Sequence, residues 1–467
     1  MILDEFLTLC GFSAKDKEEH YSRVEKAFQK VGINDADIQR GIARINRYFD
    51  VELQGVRKLL SVHLLAFLEL VLAKEEGKQK IIYGEWPLTT PIMMAIRRAD
   101  PANLVATPAM VCNVVMGQIF SKLVPITEAG EEMGQTGGQA HCPLYQTHVG
   151  SILKGIAPMP DLEIASGFLC EPPGAALQLL EELYGVPVLY VDGCVDGTWG
   201  EWPKPYLRQV EYGGQEIARC MEGVEKLIGV PISDEAKTQA FKECGQTTYY
   251  FQNLLTLIAR SDPQPLSQVD AGLALWIINT PLPPELMKRA IDAFATLYFE
   301  TEDRVKQGFG IMPKGSPRVY VSIAVAADPA IMKLFEESGL AVPCAFMTWQ
   351  PPAARFKLPY DRFSDRVAGF GQKMGIVCST CGAIEQVLIS QRELQMDGAI
   401  MCFATSCRLY SMSPIMTKKA LQKEFGDMPV IVLEGEFYDA RNYGVEQMRT
   451  RVETFAQVLR ERKGIAV

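Results

Sequence analysis

The chain has 467 residues, 48% of them hydrophobic and 22% charged, with a formal net charge of −9. That length exceeds a typical single core and predicts two or three domains, and the ordinary composition excludes a disordered chain. No long basic run occurs, which argues against nucleic acid as the main partner, because phosphate binding needs clustered Lys and Arg.

The start, MILDEFLTLCG, carries acids where a secretory leader would carry a basic region followed by a long apolar stretch. Charged segments with apolar residues at helical spacing follow, so residues 1–75 are expected to form a helical N-terminal segment. Its most apolar part, LLSVHLLAFLELVLA (59–73), is interrupted by Ser61, His63 and Glu69 and is too short to span a bilayer. It is predicted as a core helix, with no membrane partner and a cytoplasmic location.

From Lys80 short apolar strands alternate with helices: KIIYG, NLVATP, DLEIASGF and VPVLYVDG are the strand candidates. Between the last two lies EPPGAALQLLEELYG, a helix opened by prolines and closed by Gly185. Such strand–helix–strand units imply a parallel sheet, and residues 76–203 are expected to form a first α/β lobe. Residues 204–310 read as helices. Residues 311–467 return to alternation with PRVYVSIAVA, CAFMTWQ, GAIMCFATSC and PVIVLEGE, and end in a helix with Met448, Val452, Phe455 and Leu459 on one face. The expected fold class is α/β, with two Rossmann-like lobes holding parallel sheets, a helical N-terminus and a helical link.

Twelve cysteines are many for a reducing compartment, where structural disulfides are disfavoured. With only four histidines, a metal in this chain would be held by sulfur, which points to iron–sulfur or zinc. No P-loop pattern occurs. GFGQKMG (369–375) is glycine-rich, but it is preceded by the polar DRFSDRVA rather than a strand, so it is expected as a plain loop. The single pair Cys378-Ser-Thr-Cys381 has no second pair at zinc-ribbon spacing, which favours core residues over a zinc or redox site.

Three other cysteines sit where ligands collect in parallel sheets. Cys142 lies just before a helix, where backbone N–H groups favour a thiolate. Cys170 and Cys407 each lie at the carboxyl end of a strand, one in each lobe, and Cys402 lies inside the strand that leads to Cys407. Any one alone reads more readily as a small buried residue than as a ligand. The matching positions of Cys170 and Cys407 leave two readings open for the three together, a shared site in the cleft between the lobes or small buried residues.

On these segments the sequence resembles the iron–sulfur subunits of the 2-hydroxyacyl-CoA dehydratase family, which also includes ATP-driven benzoyl-CoA reductases and double-cubane cluster reductases. HCPLYQTHVGSILKG, MPDLEIASGFLC and DGAIMCFATSCRLYS resemble its three cluster-cysteine segments. YGVPVLYVD and WPKPYLRQVEYGGQEIA resemble the stretch leaving the first lobe, and LEGEFYDARNYGVEQMRTRVETFAQVL is similar to the C-terminal signature. YGEWPLTTPIMMAIRRADPANLVATPAMVCNVVMG departs from the pattern expected there, which leaves the substrate open.

The resemblance implies that Cys142, Cys170 and Cys407 hold one [4Fe-4S] cluster with an iron that no cysteine reaches, or half of an [8Fe-9S] double-cubane cluster. It implies a (R)-2-hydroxyacyl-CoA thioester substrate dehydrated through a ketyl radical, a second dehydratase-type subunit in a homo- or heterodimer, and a separate ATP-hydrolysing iron–sulfur activator. A low-potential reductase and a cluster-free interaction subunit are the alternatives. Beside the cysteines, His148 is a candidate for proton movement near the thioester, or else a helix-surface residue. Arg408 is a candidate for offsetting cluster charge or facing a CoA phosphate. Glu434, Glu436, Asp439 and Arg441 read as a salt-bridged turn or as catalytic groups, and Trp199 and Trp202 as pocket lining or as packing at the lobe junction.

Overall fold

The computed structural model describes residues 2–465, apart from 85–89, 134–141, 168–171, 194–198, 325–327, 375–379 and the single residues 205, 347, 356, 405 and 437. Four helices come first: α1 (Ile2–Leu9), α2 (Ala14–Lys30), α3 (Asp35–Tyr48) and α4 (Gln54–Val71). Ser13 with Asp16, and Asn34 with Asp37, form reciprocal capping boxes that start α2 and α3. α4 is buried along nearly its whole length, as its apolar sequence predicts. It packs so tightly on a later helix that a Cβ on Gly55 would lie 2.5 Å from the Leu297 Cα.

The first lobe follows as β1 (Ile81–Gly84), α5 (Thr90–Ala99), β2 (Leu104–Ala106), α6 (Pro108–Cys112), a π-helical segment (Asn113–Ile119), α7 (Val124–Glu132), α8 (Pro143–Leu153), β3 (Leu162–Ser166), α9 (Pro172–Tyr184) and β4 (Val188–Val191). The linking helices are α10 (Leu207–Ile228), α11 (Asp234–Arg260), α12 (Gln268–Ile278) and α13 (Pro284–Lys306). The second lobe comprises β5 (Arg318–Ala324), α14 (Pro329–Glu337), β6 (Ala341–Phe346), a short 3-10 turn, α15 (Phe363–Met374), α16 (Thr380–Leu394), β7 (Gly398–Phe403), α17 (Arg408–Phe425), β8 (Val430–Glu434) and α18 (Val445–Arg462).

Each lobe holds one four-stranded, wholly parallel sheet. The orders are β2-β1-β3-β4 and β6-β5-β7-β8. Renumbered within each lobe, both read 2-1-3-4, the doubly wound order in which ligands bind outside the carboxyl ends of the inner strands. The inner strands β1 and β3, like β7, are apolar runs buried on both faces, as helix-covered parallel strands require. The edge strands β4 and β8 are only partly covered.

Polar contacts tie the second lobe to the N-terminal helices and to the first lobe. Asp328, at the cap of α14, accepts hydrogen bonds from Arg44 of α3 at 3.1 Å and from the Tyr443 hydroxyl at 2.9 Å. The Gly200 amide, where the chain leaves the first lobe, donates to Glu385 on α16.

The glycine-rich segment 369–375 differs from expectation. Residues 369–374 are the end of α15, and only Gly375 lies outside the described residues. Tertiary packing decides this: a Cβ on Gly369 would lie 3.1 Å from the Tyr360 ring. The glycine serves a close approach of side chains rather than a phosphate. The second difference is at a strand end. β7 stops at Phe403, short of the predicted run through Cys407.

Candidate functional site

Cys407 is the residue immediately before α17, and Cys142 the residue immediately before α8. Both act as the N-terminal cap of their helix. The Cys142 carbonyl accepts from the amides of Tyr145 at 2.9 Å and Gln146 at 3.2 Å, and the Cys407 carbonyl accepts from Ser411 at 2.8 Å. Pro143 suits the first helical position of α8, since a proline there lacks only an N–H that the helix would leave unpaired. Each thiol therefore stands at the positive end of a helix, where uncompensated N–H groups favour negative charge.

Across the lobes, these two thiols lie within electrostatic reach of each other. Burial pushes the Cys142 thiol up to about 12, and the neighbouring Cys407 and the Glu436 carboxylate push the same way. Hydrogen bonds from the backbone of Leu144 and Tyr145 pull in the opposite direction without winning. A thiol held this way ionises only against a compensating cation, as a bound metal supplies. Both cysteines are half-buried and unbridged.

No histidine competes for the site among the described residues. His63 lies in α4, with Nε2 2.9 Å from the Leu273 carbonyl, and burial holds it neutral, with its pKa down to about 4. His20 lies in α2 beside Glu19 and Arg23. His141 lies outside the described residues. The donor set is sulfur, which suits an iron–sulfur cluster or another thiophilic metal. Among the described residues no group of three His, Cys, Asp or Glu side chains forms a metal site. The third predicted sulfur, Cys170, lies outside those residues, as does the Arg408 side chain. In sequence Cys170 follows the end of β3 at Ser166 by the same four positions that separate Cys407 from the end of β7 at Phe403.

His148 is not a helix-surface residue. It is 2% exposed, and its Nε2 lies 2.9 Å from Oε1 of Glu163, which is wholly buried on β3. Helical periodicity turns this part of α8 toward the sheet, so the histidine packs behind the cysteine, edge-on to the Tyr83 ring at 6.0 Å. Cys402 is 1% exposed and belongs to the core of β7. Of the CSTC pair, Cys381 sits half-buried in α16 and Cys378 lies outside the described residues.

The segment after β8 forms the expected salt-bridged turn. Asp439, 2% exposed, accepts from Arg441 Nε at 2.9 Å and Nη2 at 2.7 Å. Arg441 Nη1 reaches Glu131 on α7 at 2.9 Å. Glu436 accepts from the Ser406 amide at 2.7 Å and from the Ser406 hydroxyl, beside Cys407. Trp199 is half exposed and Trp202 half-buried where Gly200 meets Glu385, which places both at the lobe junction. Sequence reasoning missed Tyr410, a half-buried residue in the first turn of α17. Its ring meets Phe346 edge-on at 4.9 Å, and its hydroxyl has no hydrogen-bond partner among the described residues. An aromatic residue three positions after a ligand candidate was the available signal.

Comparison with known proteins bears on what this site serves. The sequence pattern of the family described as 2-hydroxyglutaryl-CoA dehydratase, D-component, matches residues 108–459, from the start of α6 to the last turn of α18. The lactoyl-CoA dehydratase subunit alpha of Anaerotignum propionicum is 22% identical over 307 residues, covering 65% of this chain and 70% of that protein. The (R)-phenyllactyl-CoA dehydratase alpha subunit of Clostridium sporogenes is 22% identical over 348 residues, covering 72% and 80%. The family pattern leaves out residues 1–107 and 460–467, and most of the segment that departs from the expected sequence pattern lies before residue 108. With more than half of its length matched, including both lobe-bridging cysteines, the chain belongs to the 2-hydroxyglutaryl-CoA dehydratase D-component family.

Proposed function

We propose that the chain is the cluster-bearing subunit of a 2-hydroxyacyl-CoA dehydratase, removing water from a (R)-2-hydroxyacyl-CoA. The observation that carries this reading is the pairing of Cys142 with Cys407 at two helix N-termini across the lobes, in a chain of this family. The two relatives are named for lactoyl-CoA and (R)-phenyllactyl-CoA, both 2-hydroxyacyl thioesters, and that supports the substrate class. Their designation as alpha subunits supports a second, dehydratase-type subunit.

Cys142, Cys407 and Cys170 are the residues that would hold a [4Fe-4S] cluster. When bound, it supplies a one-electron centre with a Lewis-acidic iron open to a small ligand or to the thioester oxygen. The chain's own groups do the rest. The N-termini of α8 and α17 offset thiolate charge, and the half-buried Tyr410 and Phe346 rings pack edge-on beside the cysteine loop. The His148–Glu163 pair fixes α8 against the sheet from behind, and Arg408 stands next to Cys407, suited to offset negative charge there. The net reaction is redox-neutral. One electron from a separate ATP-hydrolysing activator gives the substrate ketyl, the hydroxyl leaves, a C3 proton follows to complete water, and the electron returns.

Anaerobic purification with iron and sulfide analysis tests the first half of this reading. Iron and sulfide in equal amounts with a broad visible absorption support it, and a colourless, iron-free chain after anaerobic reconstitution overturns it. Turnover of a panel of 2-hydroxyacyl-CoA thioesters, with activator and ATP, tests the second half. Reduction of an aromatic acyl-CoA in place of dehydration would assign the chain to reductase chemistry instead.

A further inference from the structure

Two residues of the turn after β8 reach the two cysteine-bearing segments from behind. Glu436 grips one: its carboxylate takes both the amide, at 2.7 Å, and the hydroxyl of Ser406, the residue before Cys407. Arg441 reaches the other through a helix. Asp439 holds the guanidinium in a two-pronged pair, which leaves Nη1 a single direction, toward Glu131 at 2.9 Å and Glu128 at 3.6 Å on α7. α7 in turn lies backbone to backbone on α8. A Cβ on Gly130 would be 2.2 Å from the Gln146 carbonyl oxygen, and one on Gly150 would be 1.8 Å from that of Ile126. Helices packed this closely move together, and Cys142 is the N-terminal end of α8.

We propose that Glu436 and Arg441 are positioning residues that set the spacing of Cys142 and Cys407. Glu436 fixes the loop that presents Cys407, and Arg441 fixes the second lobe against the α7–α8 pair that presents Cys142. Ligand sites demand placement within about half an ångström, which a lobe contact without such anchors does not supply. The purpose of the spacing rests on the proposed cluster, but the spacing itself is measurable without one.

The test uses the full-length, metal-free chain carrying Cys170→Ser, so that the third candidate thiol cannot divert the reagent. A short bis-maleimide couples two thiols by addition, and mass spectrometry of the linked peptides reads the Cys142–Cys407 product. Once one end has reacted, the second step depends on local thiol concentration, so coupling should fall about tenfold in Arg441→Ala and in Glu436→Ala. Glu128→Gln with Glu131→Gln should reproduce the Arg441→Ala loss, and adding Arg441→Ala to that pair should cost nothing further. Arg449→Ala, which removes a different ion pair to Glu337, should leave coupling unchanged. Should Arg441→Ala fail to fold, the Glu128→Gln, Glu131→Gln variant keeps the Asp439 pair and decides alone. Coupling within about twofold of the parent in folded variants, or losses that add, would overturn the proposal. Absence of iron in the wild-type chain would remove the cluster while leaving this spacing result standing.

Discussion

Glu163 Oε1 lies 2.9 Å from His148 Nε2, with both side chains sealed between α8 and the first sheet. The second carboxylate oxygen of Glu163 has no hydrogen-bond partner among the described residues. A buried pair of this kind adds little net stability, but removing one member strands the other. His148→Ala should lower the unfolding free energy by about 3–5 kcal/mol, whereas His148→Leu with Glu163→Leu should stay near wild type. Urea unfolding compares them, and a single variant no worse than the double would contradict a coupled pair.

Replacing Cys407 by Ser takes away one of the two thiols that meet between the lobes. Anaerobically reconstituted Cys407→Ser should lose most of its iron and its visible absorption, as should Cys142→Ser. Cys402→Ala, in the core of β7, should keep both. An unchanged spectrum in Cys407→Ser would remove that residue from the site.

Asp270 gives a pH dependence of known sign. It is buried in α12, where it accepts the Asp50 amide at 3.0 Å, and burial raises its pKa to about 8, with Asp50 and Glu336 adding to the rise. The folded chain therefore keeps this proton over a range in which the unfolded chain, at the ordinary 3.8, has released it. Its contribution is full below the unfolded pKa and is lost as pH rises toward the folded one, at about 1.4 kcal/mol per pH unit. Asp270→Asn keeps the acceptor and removes the titration. Its stability advantage over wild type should grow from pH 4 to pH 8, and a constant difference across that range would refute the assignment.

Gly150→Ala forces a methyl group toward the Ile126 carbonyl, where the gap is 1.8 Å. The α7–α8 contact must then open, costing about 1–3 kcal/mol. Gly155→Ala in the loop just after α8 meets no neighbour within 4 Å but holds a φ of +66°, so its cost is backbone strain instead. Thermal melts rank the two, and iron retention separates them: only Gly150→Ala should shift Cys142.

The sheets were legible because each strand is a short apolar run bounded by glycine, proline or charge; seven of the eight strands form within the predicted segments, and β6 starts three residues before its own, at Ala341. α15 was not, since Gly369 is chosen by the Tyr360 ring and by no local signal. Cys142 and Cys407 were legible as loop positions at the ends of regular elements. What holds them was not. Arg441 and Glu131 are 310 residues apart, and Glu436 and Ser406 are 30 apart, separations that no spacing pattern encodes. His148 carried the wrong surroundings in the helix-surface reading because its partner comes from a strand 15 residues on, and only the packing of α8 on β3 reveals it.

The repeated strand order carries one more consequence. The two sheets are wound alike, and in sequence a cysteine follows an inner strand of each by four residues. A ligand gripped by both would act as a staple, since the unfolded or opened chain cannot bind it equally well. If the proposed cluster is that ligand, mass action ties lobe closure to the supply of iron and sulfide. Starved of them, the protein should become easier to pry apart at the lobe seam than anywhere inside either sheet.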